Sequence, residues 1–344
     1  MTRTMIYGLK SVPLGKHPRS KLLDDQLTNR IAQFLRSKPN LRATENALNC
    51  AIATSTGLVR DQNQDAALFV KAHYGSGNER DFNLAIVCDG LGGMKHGAEA
   101  SILGLSTFVS TVIRFPRLPM EDRILKGMSE ANDRIFQAFR GDGGTTLSAI
   151  AIGRNGVVSV CHVGDSRIYA IGDHYVRQLT HDDTLQGALQ RNASVHDEAG
   201  QRDTRLLQFV GMGADLEAHL FKLTGGDIKN YLLTSDGAHD IPVNYMQRVA
   251  LSARNNSDLA RKLVQLSEIL GGLDNATAIA VPASLTEATD APTEGMDLSL
   301  MSAFGQLTIW IPQPTDEKRS VPPTGVSPPR NEVLNSATPD PASP

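Results

Sequence analysis

Apolar positions recur along the chain at two spacings, and these divide it into elements. Short, often β-branched runs occur at Cys50–Thr56, Ala66–Lys71, Phe82–Cys88, Thr146–Ile152, Val157–Val163, Arg167–Ile171, Tyr231–Thr234 and Thr277–Val281. Each is bounded by polar or turn residues and reads as a strand. Two longer stretches have helical period. Leu105, Phe108, Val109, Val112 and Ile113 share a face of the first, and Ile124, Met128, Ala131, Ile135 and Phe139 a face of the second. Leu23, Leu27, Ile31, Phe34 and Leu35 repeat the pattern and predict an amphipathic helix over about 22–37. Two strand pairs are joined by short turns, Arg154-Asn155-Gly156 and Gly172-Asp173-His174. Such hairpins require antiparallel pairing. With helices grouped between strand sets, they predict a layered α+β domain rather than a doubly wound parallel sheet.

Composition then divides the chain into three unequal pieces. Of 17 prolines, 11 lie at or after Pro282, so 283–344 reads as a Pro-rich, largely disordered tail with one apolar segment at 296–310 that holds the single tryptophan, Trp310. That segment either folds back onto the domain or serves a partner. Residues 1–46 form a basic extension of charge +6, against −4 for the core at 47–282 and −5 for the tail. Its helix reads as docked on the domain, or as an arm for a partner or an anionic surface. The net charge of the 344-residue chain is only −3, which argues against a nucleic-acid partner. No apolar run reaches the roughly 18 residues of a membrane span. The N-terminus lacks the pattern of a secretory signal, so the expected location is cytoplasmic. Three scattered cysteines, Cys50, Cys88 and Cys161, predict neither a disulfide framework nor a thiolate metal site.

Candidate chemistry sits at strand ends. Asp89, Asp165, Asp236 and Asp274 each follow close on an apolar run, and Asp65 sits in a polar turn before one. A single Asp-Gly after a strand is usually a turn. Several converging carboxylates are different, because they repel one another and resist ionisation unless a cation neutralises them. An all-oxygen set of this kind suits a hard divalent ion such as Mg²⁺ or Mn²⁺.

Six segments carry these residues in order: GLVRDQNQD (57–65), VCDGLGGMKHGAEAS (87–101), GGTTLSAIAI (143–152), HVGDSRIYAI (162–171), LLTSDGAHD (232–240) and DNATAIAV (274–281). Together they resemble the metal-dependent protein phosphatase family, the protein phosphatase 2C-like enzymes, and in particular its bacterial members. The resemblance covers about 235 residues and leaves both extensions outside. It implies a four-layer α-β-β-α sandwich, with two central antiparallel sheets flanked by helices. It implies a monomeric serine/threonine phosphoprotein phosphatase that opposes a bacterial Ser/Thr kinase.

The same resemblance implies roles. Asp89 bridges two core ions, Mn²⁺ or Mg²⁺, and the Gly90 carbonyl joins the second. Asp236 and Asp274 hold the first ion, Asp65 reaches the second through water, and Asp165 serves a third, weaker ion. Arg60 grips the substrate phosphate with its planar fork. Water activated by the ion pair attacks phosphorus in line. Gly144, Thr145 and Thr146 match a structural turn, and Ser166 and Arg167 brace a strand.

Three departures stand out. Gln64 occupies a position often held by glutamate, where it can still hydrogen-bond a metal-bound water but adds no charge. The family's histidine after the Asp-Gly pair is missing at Leu91 and Met94, which leaves His96 as candidate general acid or as a solvated loop residue. The segment of about 180–220 matches a variable flap, in which Arg202 and Arg205 are candidate contacts to a phosphopeptide. Two rival readings follow. A catalytically weak or inactive phosphatase-fold module would bind phosphoproteins, a reading that draws on Gln64 and the missing histidine. A histidine–aspartate phosphohydrolase would use His181-Asp182, His196-Asp197 and His239-Asp240, but such domains are helical.

Overall fold

The computed structural model describes residues 5–8, 18–36, 43–47, 49–74, 79–192, 205–284 and 295–312. In chain order its elements are β1 (Met5–Gly8), α1 (Pro18–Arg36), β2 (Ala43–Ala47), β3 (Cys50–Ser55), β4 (Ala66–His73), β5 (Phe82–Cys88), α2 (Gly97–Arg114), α3 (Met120–Phe139), β6 (Leu147–Gly153), β7 (Val158–Val163) and β8 (Arg167–Ile171). There follow β9 (Val176–Gln178), α4 (Leu185–Asn192), β10 (Glu217–Leu223), β11 (Asn230–Thr234), α5 (Asp236–His239), α6 (Val243–Ser252), α7 (Asn256–Ile269), β12 (Ala276–Pro282), β13 (Gly295–Ser302) and β14 (Gly305–Pro312). Every expected strand is present within one or two residues. Both expected hairpins form, β6 with β7 and β8 with β9.

Two antiparallel sheets stack face to face. One has eight strands in the order β1-β10-β7-β6-β5-β4-β13-β14, and the other six in the order β2-β3-β12-β11-β8-β9. The strands are nearly continuous apolar runs because both of their faces are covered. In β4, Leu68 and Val70 pack with α1, α2 and α3, while Ala67 and Phe69 pack against the second sheet. In β5, Leu84 and Ile86 face the helices, and Ala85 and Val87 the sheet. The six-stranded sheet treats its faces differently. Its inner positions are large, Ile52, Ile279 and Val281, whereas Ala51, Ala53, Ala276, Ala278 and Ala280 lie under α7. Small side chains there let a helix approach the sheet closely, at the close packing typical of protein interiors. The layers are therefore helix, sheet, sheet, helix, as the resemblance implies.

The outer boundaries differ from expectation. Residues 1–46 are not a separate arm where they are described. β1 pairs with β10, β2 pairs with β3, and α1 buries Ile31 and Leu35 against the first helical layer. A hydrogen bond of 2.6 Å between the Thr28 and Ser110 hydroxyls fixes α1 on α2. Residue 282 is likewise not the end of the fold. The apolar segment 296–310 forms β13 and β14, which extend the eight-stranded sheet beyond β4. Met296, Leu298 and Leu300 enter the main core, and burial of that face offsets the entropy of ordering the hairpin. Trp310 lies on the outer strand and is half exposed. Residues 313–344, including most of the Pro-rich tail, lie outside the described residues. Among those described, no helix is long and apolar enough to cross a membrane.

The hairpin therefore belongs to the core. Leu300→Ala, at a site only 1% exposed, should destabilise the fold by about 2–5 kcal/mol in denaturant unfolding, whereas a hairpin resting loosely on the surface would lose well under 1 kcal/mol.

Candidate active site

The two sheets bring five strand-end carboxylates to one end of the sandwich. Asp89 leaves β5, Asp165 follows β7 after one glycine, Asp236 begins α5 directly after β11, Asp274 precedes β12, and Asp65 precedes β4. Strands buried on both faces hold these positions rigidly, and the chain must turn there, so the polar side chains cluster where backbone direction changes.

Local hydrogen bonds fix the turns. Asp89 N–H donates to the Thr146 hydroxyl at 3.0 Å, and the Thr145 hydroxyl donates to the Asp89 carbonyl at 2.8 Å. Leu91 N–H reaches the Gly144 carbonyl at 3.0 Å. The Gly144-Thr145-Thr146 turn therefore clamps the Asp89 backbone from both sides. Gly90 has no room for a side chain, since a Cβ there would lie 2.3 Å from the Gly97 carbonyl oxygen. Asp65 is buried, and the Ser235 hydroxyl donates to its Oδ2 at 2.8 Å. The same Ser235 oxygen accepts Thr277 N–H at 2.9 Å, so one serine ties β12 to the acidic cluster. Buried Asn275 donates to the carbonyls of Thr56 and Gln62 and accepts Gln64 N–H. It joins the Arg60 loop to Asp274. Ser235 and Asn275 are site residues that the sequence reading did not single out, although each sits directly beside a flagged aspartate.

Asp165 is held through its neighbours. Gly164 N–H donates to Asp183 Oδ2 at 3.0 Å, and His219 pairs with Asp183 Oδ1 at 2.7 Å. Arg167 makes a two-pronged pair with Asp182, at 2.8 and 2.7 Å, in keeping with its expected bracing role. The base of the segment 180–220 is thus pinned beside Asp165. The chain returns to the eight-stranded sheet at β10. Arg205 lies at the described end of this segment, where its carbonyl accepts Leu185 N–H. Arg202 lies outside the described residues.

The electrostatics are those of crowded carboxylates. Burial, followed by Asp65, Asp236 and Asp165, pushes Asp89 well above the usual carboxylate range. Burial and Asp274 raise Asp236, which also hydrogen-bonds Asp89. Burial, Asp236 and Asp182 push Asp165 up to about 7. Arg60 donates to Asp274 Oδ2 at 2.7 Å, and Asp236 and Asp89 add to the field that holds it charged. Its guanidinium lies over Gly92 and is 42% exposed, so it borders both the carboxylates and solvent. Gln64 stands beside it, with its carbonyl accepting from Gly90 N–H and the Ser101 hydroxyl. His96 stands just before α2, with its ring stacked on Phe139 at 4.9 Å.

Among the described residues, no three His, Cys, Asp or Glu side chains are already drawn around a common ion position. Asp89 and Asp236 bond to each other, and Asp274 is turned to Arg60. The chemistry of the set nonetheless fits divalent cations. The donors are all oxygen, burial and acidic neighbours raise the pKa of three of the carboxylates, and the arginine beside them pairs with a fourth. The His-Asp pairs do not form a rival centre. Buried His239 bonds the Thr234 hydroxyl and is held neutral by burial, and His181 uses its carbonyl to accept from His162. His196 and Asp197 lie outside the described residues.

Proteins of known activity resemble this chain in sequence and in fold. The chain is 27% identical over 253 residues to a serine/threonine phosphatase, Stp, of Listeria monocytogenes, covering 70% of this chain and 98% of that protein. The solved structure of the PPM Ser-Thr phosphatase MsPP from Mycobacterium smegmatis, in complex with cacodylate, superposes with a TM-score of 0.57 at 28% identity, over 70% of this chain and all of that one. In sequence and in fold the chain is similar to bacterial PPM, or protein phosphatase 2C-type, serine/threonine phosphatases. The solved structure of the serine/threonine phosphatase PstP of Mycobacterium tuberculosis also matches, with a TM-score of 0.57 at 25% identity over 67% of this chain and 96% of that one. No family model matches the sequence.

Ser235 should prove a positioning residue. Ser235→Ala removes the donor to Asp65 and the acceptor of Thr277 N–H, and should destabilise the fold by about 1–3 kcal/mol in denaturant unfolding. Unchanged stability would show that neither bond is maintained in solution.

Proposed function

We propose that this chain is a divalent-cation-dependent phosphatase that hydrolyses phosphoserine and phosphothreonine in proteins, opposing a Ser/Thr kinase. The observation that carries the reading is the meeting of Asp89, Asp165 and Asp236, each with a raised pKa, beside the half-exposed guanidinium of Arg60. Asp89, Gly90, Asp236, Asp274 and Asp65 would hold two core ions, Mn²⁺ or Mg²⁺, and Asp165 a third. When bound, such ions supply an activated water near neutral pH and neutralise charge on phosphoryl oxygens.

The protein's own groups do the rest. Arg60 presents a planar fork to two phosphate oxygens, a geometry lysine does not reproduce. Its contact with Asp274 sets its direction before substrate arrives, which lowers the reorganisation needed on binding. Asp89 and Asp236, hydrogen-bonded to each other, would be held ionised by bound cations. Gln64 lies next to Arg60 and offers an uncharged amide to solvent in the site. His96 is the candidate donor of a proton to the leaving serine or threonine oxygen, from its place at the start of α2. The reading as an inactive binding module is not favoured, because Arg60 and all five aspartates are retained.

The test is hydrolysis of p-nitrophenyl phosphate and of a phosphothreonine peptide with Mn²⁺, and again with EDTA. Activity should require the ion, and Asp89→Asn should lower kcat/KM at least about 1,000-fold, as expected for loss of a central charge-stabilising group. Full activity in EDTA or in that variant would overturn the proposal. A second expectation separates the ions: Asp165→Ala should lower turnover while calorimetry still counts two tightly bound Mn²⁺ per chain. Loss of both core ions would refute the separate role of Asp165.

A further inference from the structure

Twelve large apolar side chains are exposed among the described residues, and five of them stand beside Arg60 and Asp274, two in the loop before Arg60 and three at the end of α7 and in the loop that follows it. Leu58 is 70% exposed, Val59 62%, Ile269 79%, Leu270 48% and Leu273 71%. Scattered exposed leucines need no explanation, but a contiguous apolar patch marks an interaction surface. Contiguity here has a structural cause. Leu58 N–H donates to the Gly272 carbonyl at 2.7 Å, which locks one loop onto the other. Gly57 has φ +80, and a Cβ on it would lie 2.4 Å from the Asp274 carbonyl oxygen, so the loops touch backbone to backbone. A Cβ on Gly272 would meet Leu58 Cγ at 2.9 Å. The backbone contact at Gly57 and Gly272 thus keeps Leu58 and Leu273 side by side at the surface.

The patch is also continuous with the catalytic end. A cleft of about 150 Å³ is lined by Leu270 and Leu273 together with Asp236, Asp240 and Asp274. Leu58 and Val59 precede Arg60 in the same loop. A polypeptide that delivers a phosphate to Arg60 must therefore lay its neighbouring residues across this rim. An extended chain advances about 3.3–3.6 Å per residue, so only the residues flanking the phosphorylated one can reach it.

We propose that the Leu58-Val59 and Ile269–Leu273 segments form a specificity surface that selects phosphoproteins with bulky apolar residues next to the phosphoserine or phosphothreonine. This rests on the phosphatase reading and narrows its substrate class. Arg60 binds the feature common to all substrates, the phosphate, and the rim distinguishes among them by burial of apolar surface. A second copy of the chain seated on the rim would cover the cleft and block the site, which is why the substrate is the assigned occupant.

The test measures kcat/KM of the full chain with Mn²⁺ on two phosphothreonine peptides that differ only at the residues on either side, leucine in one and serine in the other. The parent should favour the leucine peptide by about tenfold, the scale of discrimination an apolar contact supplies. Leu58→Ser combined with Leu273→Ser should reduce the ratio to about twofold or less. The ratio is taken within one enzyme, so general damage to folding or turnover cancels. Val59→Ser with Ile269→Ser, away from Asp274, provides an independent pair should the first not fold. A parent ratio near one, or a ratio unchanged in both pairs, overturns the proposal and leaves the phosphatase reading intact. Failure to hydrolyse either peptide overturns both. A parent dimer in sedimentation that dissociates in the Leu58 variant would assign the rim to self-association instead.

Discussion

Mutual repulsion among buried carboxylates is the constraint around which this molecule is organised. Two unit charges about 4 Å apart interact by about 4 kcal/mol at the effective dielectric typical of protein sites. Burial and their acidic neighbours raise the pKa values of Asp89, Asp165 and Asp236. A fold that keeps such groups together must prevent the strand ends from splaying. This one does so with neutral hydrogen bonds: Thr145 and Thr146 on the Asp89 backbone, Ser235 on Asp65, and Asn275 across the Arg60 loop. Neither the threonines nor Ser235 or Asn275 carries charge, so they fix geometry without neutralising the cluster. On the proposed reading, a divalent cation would relieve that repulsion.

The layered architecture follows from the need for rigidity. A carboxylate on an open, one-sided sheet would sit on a strand free to twist. Here β4 and β5 are covered on one face by α1–α3 and on the other by the second sheet. The alanine-lined face under α7 brings that helix close to β3 and β12, whose ends carry the Arg60 loop and Asp274. The terminal segments serve the same end. β1 and β2 cap one edge of each sheet, and β13–β14 covers the edge that β4 would otherwise expose. Because β4 follows directly from Asp65, the C-terminal hairpin steadies the strand on which that aspartate depends.

Much of this was legible because core strands buried on both faces are continuous apolar runs, and the aspartates come where those runs stop. The helical faces of α2 and α3 were equally clear, since Leu105, Phe108 and Val112, or Ile124, Met128 and Ile135, lie on single stripes. The C-terminal hairpin was harder to see. Met296, Leu298 and Leu300 alternate with Asp297 and Ser299 at the period of a strand, but proline-rich sequence on both sides masks the pattern. β1 and β2 escaped notice for another reason. Strands of four or five residues owe their structure to the edge they pair with, and their own sequence carries little of it. At the site, charged residues were readable and supporting ones were not. Ser235 and Asn275 look like ordinary turn residues until the fold shows that their partners lie 170 and more than 200 positions away.

Division of labour between strands and loops accounts for how one scaffold can combine invariant chemistry with chosen substrates. The five aspartates are fixed by sheet ends, and shifting one would disturb several hydrogen bonds at once. Arg60 is different. It lies on a loop anchored by Asn275 and by the Leu58–Gly272 contact, yet its guanidinium remains open to solvent. The same anchoring keeps Leu58 and Leu273 side by side at the surface. Substitutions at those two positions leave the backbone contacts beneath them in place, because these contacts involve Leu58 N–H and the Gly272 carbonyl rather than side chains. The apolar rim can therefore change without loss of the phosphate-binding geometry. On the proposed roles, substrate choice is physically separable from catalysis, even though the rim residues are sequence neighbours of Arg60 and Asp274.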